Sequence, residues 1–203
     1  MKYKHLVIIL FVPWSLHAQN KWNLEKDKDN IRIFTRQSDH SKFDEIKVEC
    51  DIQGTISELI AVIFDIENHV QWVYNTKRAY IVKRISDSEL YFYTEIYSPW
   101  PFRNRDAIVD IKTWKDSLSN KVLVEANSVP DYLPRKQDIV RIPSSNVKWT
   151  ISPLNSQTIK VNYYMEADPG GSIPAWLINL FVSKGPFESF SGLKERIRLP
   201  QYK

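Results

Sequence analysis

The chain alternates apolar and polar residues over many short segments before one long helical segment, and this order limits its fold more than any other feature. Alternation with a period of two predicts strands over 31–37, 43–52, 78–85, 89–97, 105–114, 121–127, 138–142, 146–151 and 157–166. Helical spacing predicts a helix from residue 55, a short aromatic segment to about residue 75, and a long helix over 173–198. This order predicts an α+β domain in which a strongly curved antiparallel sheet buries one face beneath the last helix.

The first helix has a clear start signal. Gly54 ends the preceding strand, and "TISE" forms a capping box in which Thr55 and Glu58 satisfy each other's backbone amides. A buried stripe follows at helical spacing, made of Ile56, Leu59, Ile60 and Ile63.

The closing helix is predicted to be broken near its middle. It follows "DPGGSIP", and its apolar surface consists of Trp176, Leu177, Leu180, Phe181, Phe187, Phe190, Leu193 and Ile197. Pro186 lacks an amide hydrogen and crowds the carbonyl of Val182, so Gly185 and Pro186 predict a kink or a loosened turn.

Small apolar residues mark the inner face of the sheet. Ala107, Val109 and Ile111 alternate with polar or outward residues, as do Val124 and Ala126 on the next strand. Small side chains beneath an aromatic-rich helix leave room for an internal cavity, while the same pattern also suits a solid core.

The first eighteen residues differ from the rest. Lys2 and Lys4 precede an apolar run over 6–12, and Ala18 suits a cleavage site, so residues 1–18 are expected to be a secretory signal and 19–203 the mature domain. An uncleaved membrane anchor is the alternative, although the run is short for a span. Cleavage removes two lysines and lowers the formal net charge from +4 to about +2. The protein is expected to be exported, either to a periplasm or outside the cell.

Several function classes find little support. The mild charge without basic runs argues against nucleic-acid binding. Cys50, the one cysteine, lies on the apolar face of a strand and is expected in the core. Only His40 and His69 follow the signal, and neither they nor Cys50 have metal-ligand or catalytic-triad spacing. No cofactor or metal is expected.

Four motifs in order resemble the steroidogenic-acute-regulatory-protein-related lipid transfer (START) domains. They are "GTISELIAVIFD", "PWPFRNRD", "IVRI" and "DPGGSIPAWLIN", and the resemblance runs from Trp22 to the end of the closing helix. It implies a helix-grip fold, in which the sheet wraps around the long C-terminal helix and a lipid occupies the tunnel between them.

The resemblance also implies which residues contact the lipid: Trp72, Phe92, Thr94, Ile96, Val109, Ile111, Val124, Ala126, Arg141, Tyr163, Met165, Trp176 and Leu180. Sterol-binding relatives carry an acid and a base where Phe92 and Ile111 align. Ceramide-binding relatives carry amides and a tyrosine where Thr94, Ala126 and Tyr163 align, so only Tyr163 matches outright. A mostly apolar tunnel is therefore expected, and the lipid stays open.

Two features keep alternative interpretations. Arg141 either binds an anionic head group or, as we favour, pairs with Asp106 or another carboxylate. The corner "SPWPFRNRD" is interpreted as a rigid entry to a central strand, with membrane contact by Trp100 or Phe102 as the alternative.

The resemblance predicts a monomer that carries or presents a lipid between membranes and touches a membrane surface only transiently. A helix-grip enzyme, such as a cyclase or hydrolase, and a non-transporting lipid sensor are the alternatives. The break at Gly185 and Pro186 is expected to serve as the gate for lipid exchange, moving together with the loop "SVPDYLP".

Overall fold

A ten-stranded sheet dominates the computed structural model, which describes residues 21–173, 182 and 184–203. Its strands are β1 (Asn23–Lys28), β2 (Ile31–Gln37), β3 (Asp44–Gln53), β4 (Thr76–Ser86), β5 (Glu89–Ile96), β6 (Arg105–Lys115), β7 (Val122–Ser128), β8 (Val140–Arg141), β9 (Ser144–Asn155) and β10 (Thr158–Asp168). The strand order is β1-β2-β3-β10-β9-β7-β6-β5-β4, and all neighbours in it are antiparallel. Strand β8 pairs in parallel with β6. The curved antiparallel sheet predicted from the sequence is confirmed.

Helices lie between β3 and β4 and after β10. Helix α1 (Ile56–Phe64) continues into a 3-10 helix (Ile66–Gln71), and helix α2 (Gly185–Arg196) is followed by a 3-10 turn (Pro200–Tyr202). Helix α2 is α-helical from Gly185, with Pro186 in its first turn, and the described residues just before it, Val182 and Lys184, are π-helical, so the helix changes type where the sequence predicts a kink or a loosened turn. Within the described residues, the helices are too short or too polar to cross a membrane.

The capping box predicted for α1 is confirmed. Thr55 Oγ1 accepts from the Glu58 amide at 3.3 Å, and Glu58 Oε2 accepts from the Thr55 amide at 2.9 Å. The hydrogen bond from Thr55 is the main reason that the pKa of Glu58 is lowered. These bonds fix the start of α1, which buries Leu59, Val62 and Ile63.

Helix α2 packs on the inner face of the sheet through one apolar stripe. Phe187, Phe190, Leu193 and, just after the helix, Ile197 are buried at spacings of three and four residues. A Cβ at Gly192 would lie 3.1 Å from both Cα and Cβ of Trp72, so glycine permits the close approach of α2 to this segment. Trp72 follows the 3-10 helix, and this contact sets how deeply α2 sits.

One strand escapes prediction from the sequence. Strand β1 has the sequence "NLEKDK", and nearly all of its side chains are exposed at the sheet edge. It therefore lacks the alternation that reveals half-buried strands. The Cys50 prediction holds, since its side chain is buried and burial raises the thiol pKa to about 12.

Candidate ligand-binding cavity

A cavity of about 260 Å³ lies between the inner face of the sheet and α2. Eleven residues that the sequence singled out, either as ligand contacts or as the gate, do line this cavity: Trp72, Phe92, Thr94, Ile96, Val109, Ile111, Ala126, Tyr163, Met165, Gly185 and Pro186. Residues that the sequence did not single out as lining are Ile63, His69, Val73, Tyr74, Thr76, Ser145, Val147, Trp149, Ser189 and Phe190. Among the described residues, no Asp, Glu, Lys or Arg borders this cavity. Its volume approaches the lower end of the range for small-molecule sites, roughly 300–1,000 Å³.

Strand register places the small side chains on one face. Phe92 pairs with Val109 across β5 and β6, and Ile111 pairs with Ala126 across β6 and β7. Directly paired residues of antiparallel strands project to the same side of a sheet. The alternation in the sequence therefore identifies this wall correctly, and the space above it is a cavity rather than a solid core.

Three aromatic rings join the sheet to α2. Trp149 on β9 stacks on Phe190 of α2, with ring centroids 5.3 Å apart. Tyr163 on β10 meets both rings edge to face, at centroid distances of 4.8 and 5.3 Å. Such pairs contribute about 1 kcal/mol each beyond their buried area. They form an aromatic part of the wall beside the small residues of β7, since Trp149 pairs with Val124 across β9 and β7.

Polar groups in the cavity wall are only partly hydrogen bonded. The Tyr163 hydroxyl donates to Met165 Sδ at 3.2 Å, a weak acceptor, and burial raises the pKa of this phenol. Trp72 Nε1 and Thr76 Oγ1 are buried without a hydrogen-bond partner within the described part of the chain. These groups are free to bond to a polar part of a ligand.

His69 is held as a neutral ring. Its Nε2 lies 2.8 Å from the backbone oxygen of Ile63, so this nitrogen donates, and the ring packs edge to face against Trp72 and Phe92. Burial lowers the pKa of His69 to about 4. The sequence reveals the histidine but not this enclosure, because its neighbours come from β5 and from the turn after the 3-10 helix.

Several residues predicted to contact the ligand lie elsewhere. Val124 shares the face of Ala126 but sits two residues farther along β7, fully buried in the core. Arg141 does not line the cavity, since its Nε and Nη2 donate to Asp106 at 2.7 and 3.1 Å. The expected ion pair is thus present. Trp176 and Leu180 lie outside the described residues.

Arg141 also holds the loop that follows β7. Its guanidinium donates to the backbone oxygens of Leu133 at 3.1 Å and Pro134 at 3.3 Å, and to that of Pro130. Residues of this loop contribute nothing to the described cavity wall. That this loop moves together with the start of α2 stays a prediction.

The corner between β5 and β6 is rigid, as predicted. Asn104 accepts from the Ser98 amide at 3.1 Å and donates to Glu95 at 2.8 Å, which ties the two ends of the corner together. Trp100 precedes a cis peptide bond to Pro101 and is 90% exposed. The corner follows Ile96 and precedes Arg105, so Trp100 projects into solvent beside the cavity.

A second, smaller pocket of about 90 Å³ adjoins the cavity at this end. Ile96 and Met165 belong to both walls, and Arg105 lines the smaller pocket. Over the described stretches of the chain, no cluster of His, Cys, Asp or Glu is arranged to hold a metal ion.

Comparisons with known proteins agree on one family. A START domain family model matches residues 15–202. The crystal structure of a STAR-related lipid transfer protein from Xanthomonas axonopodis superposes with a TM-score of 0.80 at 32% identity, covering 88% of this chain and 99% of that one. An uncharacterised protein of Pseudomonas aeruginosa is 27% identical over 173 residues, 85% of either chain. The phosphatidylcholine transfer protein of Mus musculus is 26% identical over 169 residues, 81% of this chain and 78% of its own length.

Proposed function

Because the chain belongs to the START domain family, we propose that it binds a lipid in the cavity beneath α2 and carries it between membranes. The observation that carries this proposal is the cavity between the sheet and α2, whose described wall is uncharged and largely apolar. Burying acyl chains there is favourable by about 0.8 kcal/mol per methylene group. The similarity to lipid transfer proteins supports a lipid as the ligand.

The cavity offers little for catalysis, and we propose that the protein is not an enzyme. A general base needs a pKa near the working pH, whereas burial lowers the pKa of His69 to about 4. Its Nε2 is committed to the Ile63 carbonyl. The Tyr163 hydroxyl has a raised pKa and so stays neutral. These groups suit hydrogen bonding to a lipid better than proton transfer.

Contact with a membrane is proposed for the corner between β5 and β6. Trp100 is 90% exposed, and Arg103 is exposed in the same corner. Tryptophan favours the interface between lipid and water, and arginine attracts anionic lipids. The corner adjoins both pockets through Ile96 and Arg105. Docking there would bring the cavity to the bilayer.

Export is a separate proposal that rests on residues 1–18, which lie outside the described residues. Lysines come first, an apolar run follows, and Ala18 comes last, and this order predicts cleavage after Ala18 and export of the domain 19–203. Mass spectrometry of the protein recovered from the producing cell should find Gln19 at the N-terminus. An intact Met1 would contradict this proposal.

Transfer between vesicles tests the proposed function. The mature protein should accelerate the passage of labelled phosphatidylcholine or phosphatidylglycerol from donor to acceptor vesicles. Trp100→Ala should slow it, while Trp114→Ala, at the far end of β6, should not. A parent that retains lipid without accelerating transfer would be a sensor, and a parent that retains none would overturn the proposal.

A further inference from the structure

Arg105 projects from the inner face of the sheet at one end of the cavity. It alternates with Ala107, Val109 and Ile111 along β6, and it pairs with Ile96 of β5. Ile96 pairs in turn with Thr76 of β4. The row from β4 to β6 therefore places Arg105 on the same face as two residues that line the cavity.

This guanidinium is buried without a counter-ion. Arg105 is 3% exposed, and its Nη1 donates to Ser98 Oγ at 3.1 Å and to the Arg103 carbonyl at 2.8 Å. Its Nε is buried and has no hydrogen-bond partner among the residues that the structure describes. In the described part of the chain, no carboxylate lies within 4.0 Å of it. Burial and the nearby Arg103 both lower its pKa.

The contrast with Arg141 shows what is missing. Arg141 is 5% exposed, and its guanidinium is paired with the Asp106 carboxylate through two hydrogen bonds. A buried charge is costly unless it is paired and hydrogen bonded, and arginine is suited to bind carboxylate or phosphate through its planar fork. Arg105 is as deeply buried as Arg141, but among the described residues it has no carboxylate partner such as Asp106.

We propose that Arg105 supplies the counter-charge for an anionic head group, a phosphate or carboxylate, of the lipid bound in the cavity. This inference rests on the proposed lipid-binding function. The pocket of about 90 Å³ beside Arg105 gives the head group its place. A water molecule needs roughly 15 Å³ of such space, so the pocket holds a group of several atoms.

Among the described residues that line the smaller pocket, only Arg105 and Asp44 are charged, and the others are apolar. Ile96 and Met165 border both, so acyl chains extend past them into the larger cavity while the head group stays beside Arg105. Thr76 Oγ1, which has no partner among the described residues either, lies two strands away in the same row and adds a hydrogen bond at this end. Asp44 also borders the smaller pocket, but it is exposed at the start of β3, where water screens its charge.

Binding of single-chain probes to the delipidated mature protein tests the proposal. The probes are oleate, oleoyl lysophosphatidic acid, uncharged mono-oleoylglycerol and inorganic phosphate. Arg105→Met should weaken binding of the first two about tenfold or more, because a hydrogen bond to a charged group is lost, and leave mono-oleoylglycerol unchanged. Arg105→Lys should retain part of the preference. Arg84→Met, at an exposed site near the other end of β4, removes the same charge away from the corner and should change nothing.

The unfolding midpoint of the lipid-free protein separates a binding role from a structural one. Arg105→Met should leave this midpoint unchanged or raise it, because the variant removes an unpaired buried charge. Equal affinities of Arg105→Met and parent for both anionic lipids would overturn the proposal while lipid binding itself stands. Inorganic phosphate bound as tightly as the lipids would assign the site to a free anion and overturn it too. A parent that binds none of the lipid probes would instead refute the proposed function.

Discussion

At the scale of single residues, the cavity contains few polar side chains, and their hydrogen-bonding capacity is only partly used. Within the described residues, the hydroxyl of Tyr163 reaches only the sulfur of Met165, and Thr94 lines the wall two residues from Phe92 on β5. A lipid with a matching polar group gains a hydrogen bond there, whereas a purely apolar one does not. Selection among lipids is therefore expected to depend on these side chains.

Replacing both hydroxyls tests this dependence. The double variant Tyr163→Phe with Thr94→Val should change the ratio of retained lipids about fivefold for each hydrogen bond that is lost, because each contributes on the order of 1 kcal/mol. Lipid extraction and mass spectrometry measure the ratio, and Tyr97→Phe at a half-exposed site serves as the control. An unchanged lipid profile in the folded double variant would remove Tyr163 and Thr94 from the binding site.

His69 makes stability depend on pH in a defined window. Its folded pKa of about 4 lies below the unfolded value of about 6.5, so between these values the unfolded chain binds a proton that the folded one does not. Stability then rises with pH across this window and falls as pH drops. The free energy of unfolding, measured with urea, should fall between pH 7 and pH 4.5 by about 2 kcal/mol more in the parent than in His69→Gln. Equal losses would contradict the burial of a neutral ring.

The two buried arginines show how far residue-level prediction reached. Alternation places Arg105 on the inner face with Ala107 and Val109, so a signal for it existed in the sequence. For Arg141, an ion pair with Asp106 or another carboxylate was the favoured prediction, and an anionic head group was the alternative. Its pairing with Asp106 follows from the parallel contact of β8 with β6, which no local pattern encodes.

At the scale of elements, the depth of α2 over the sheet determines whether the cavity exists. Gly192 lets the helix backbone approach Trp72, while Phe190 stacks on Trp149 and holds the helix away from β9. The cavity occupies the space between these two contacts. Changes that lift or tighten α2 are therefore expected to alter both stability and lipid exchange.

Gly192→Ala should destabilise the protein although alanine is the better helix former by about 1 kcal/mol. The added Cβ would lie 3.1 Å from Trp72 Cα and 3.2 Å from its carbonyl oxygen, which are backbone atoms that cannot move independently. A lower thermal midpoint is expected, while Glu195→Ala on the exposed side should be nearly neutral. A higher midpoint for Gly192→Ala would mean that α2 does not pack this closely.

The start of α2 is the proposed gate for lipid. Gly185 and Pro186 line the cavity, and Lys184 before them provides no side-chain cap. Replacing both with Ala favours continuous helix. The variant should exchange lipid with vesicles more slowly than the parent while retaining the lipid that it holds. The control Pro200→Ala, at the C-terminal turn, should exchange lipid at the rate of the parent. Equal exchange rates for loaded, folded parent and variant would place the gate elsewhere.

Elements with a strong local signal were predictable, and those without one were not. The capping box at Thr55 and Glu58 fixed the start of α1 correctly, and strands within the sheet were located within a few residues. Strand β1 was missed because its exposed charges give no alternation, and it forms by pairing with β2. Its existence depends on a tertiary contact rather than on its own sequence.

At the scale of the whole molecule, the sheet and α2 enclose one space with a defined polarity. Apolar side chains of β5, β6, β7, β9 and β10 form its wall, and the buried cation of Arg105 lies at one end. The sequence predicted which face is inward but left cavity and solid core as alternatives. The difference depends on the position of α2, which is set by long-range contacts such as that of Gly192 with Trp72.

The central claim is that the mature protein holds lipid in this cavity, and native mass spectrometry tests it most directly. Protein recovered from the producing cell should carry added mass that extraction identifies as lipid. Ala126→Phe fills the space beside Ile111 and should lose most of this mass, whereas Ala61→Phe, on the exposed face of α1, should keep it. Equal lipid occupancy in the two folded variants, or no bound lipid in the parent, would contradict the account.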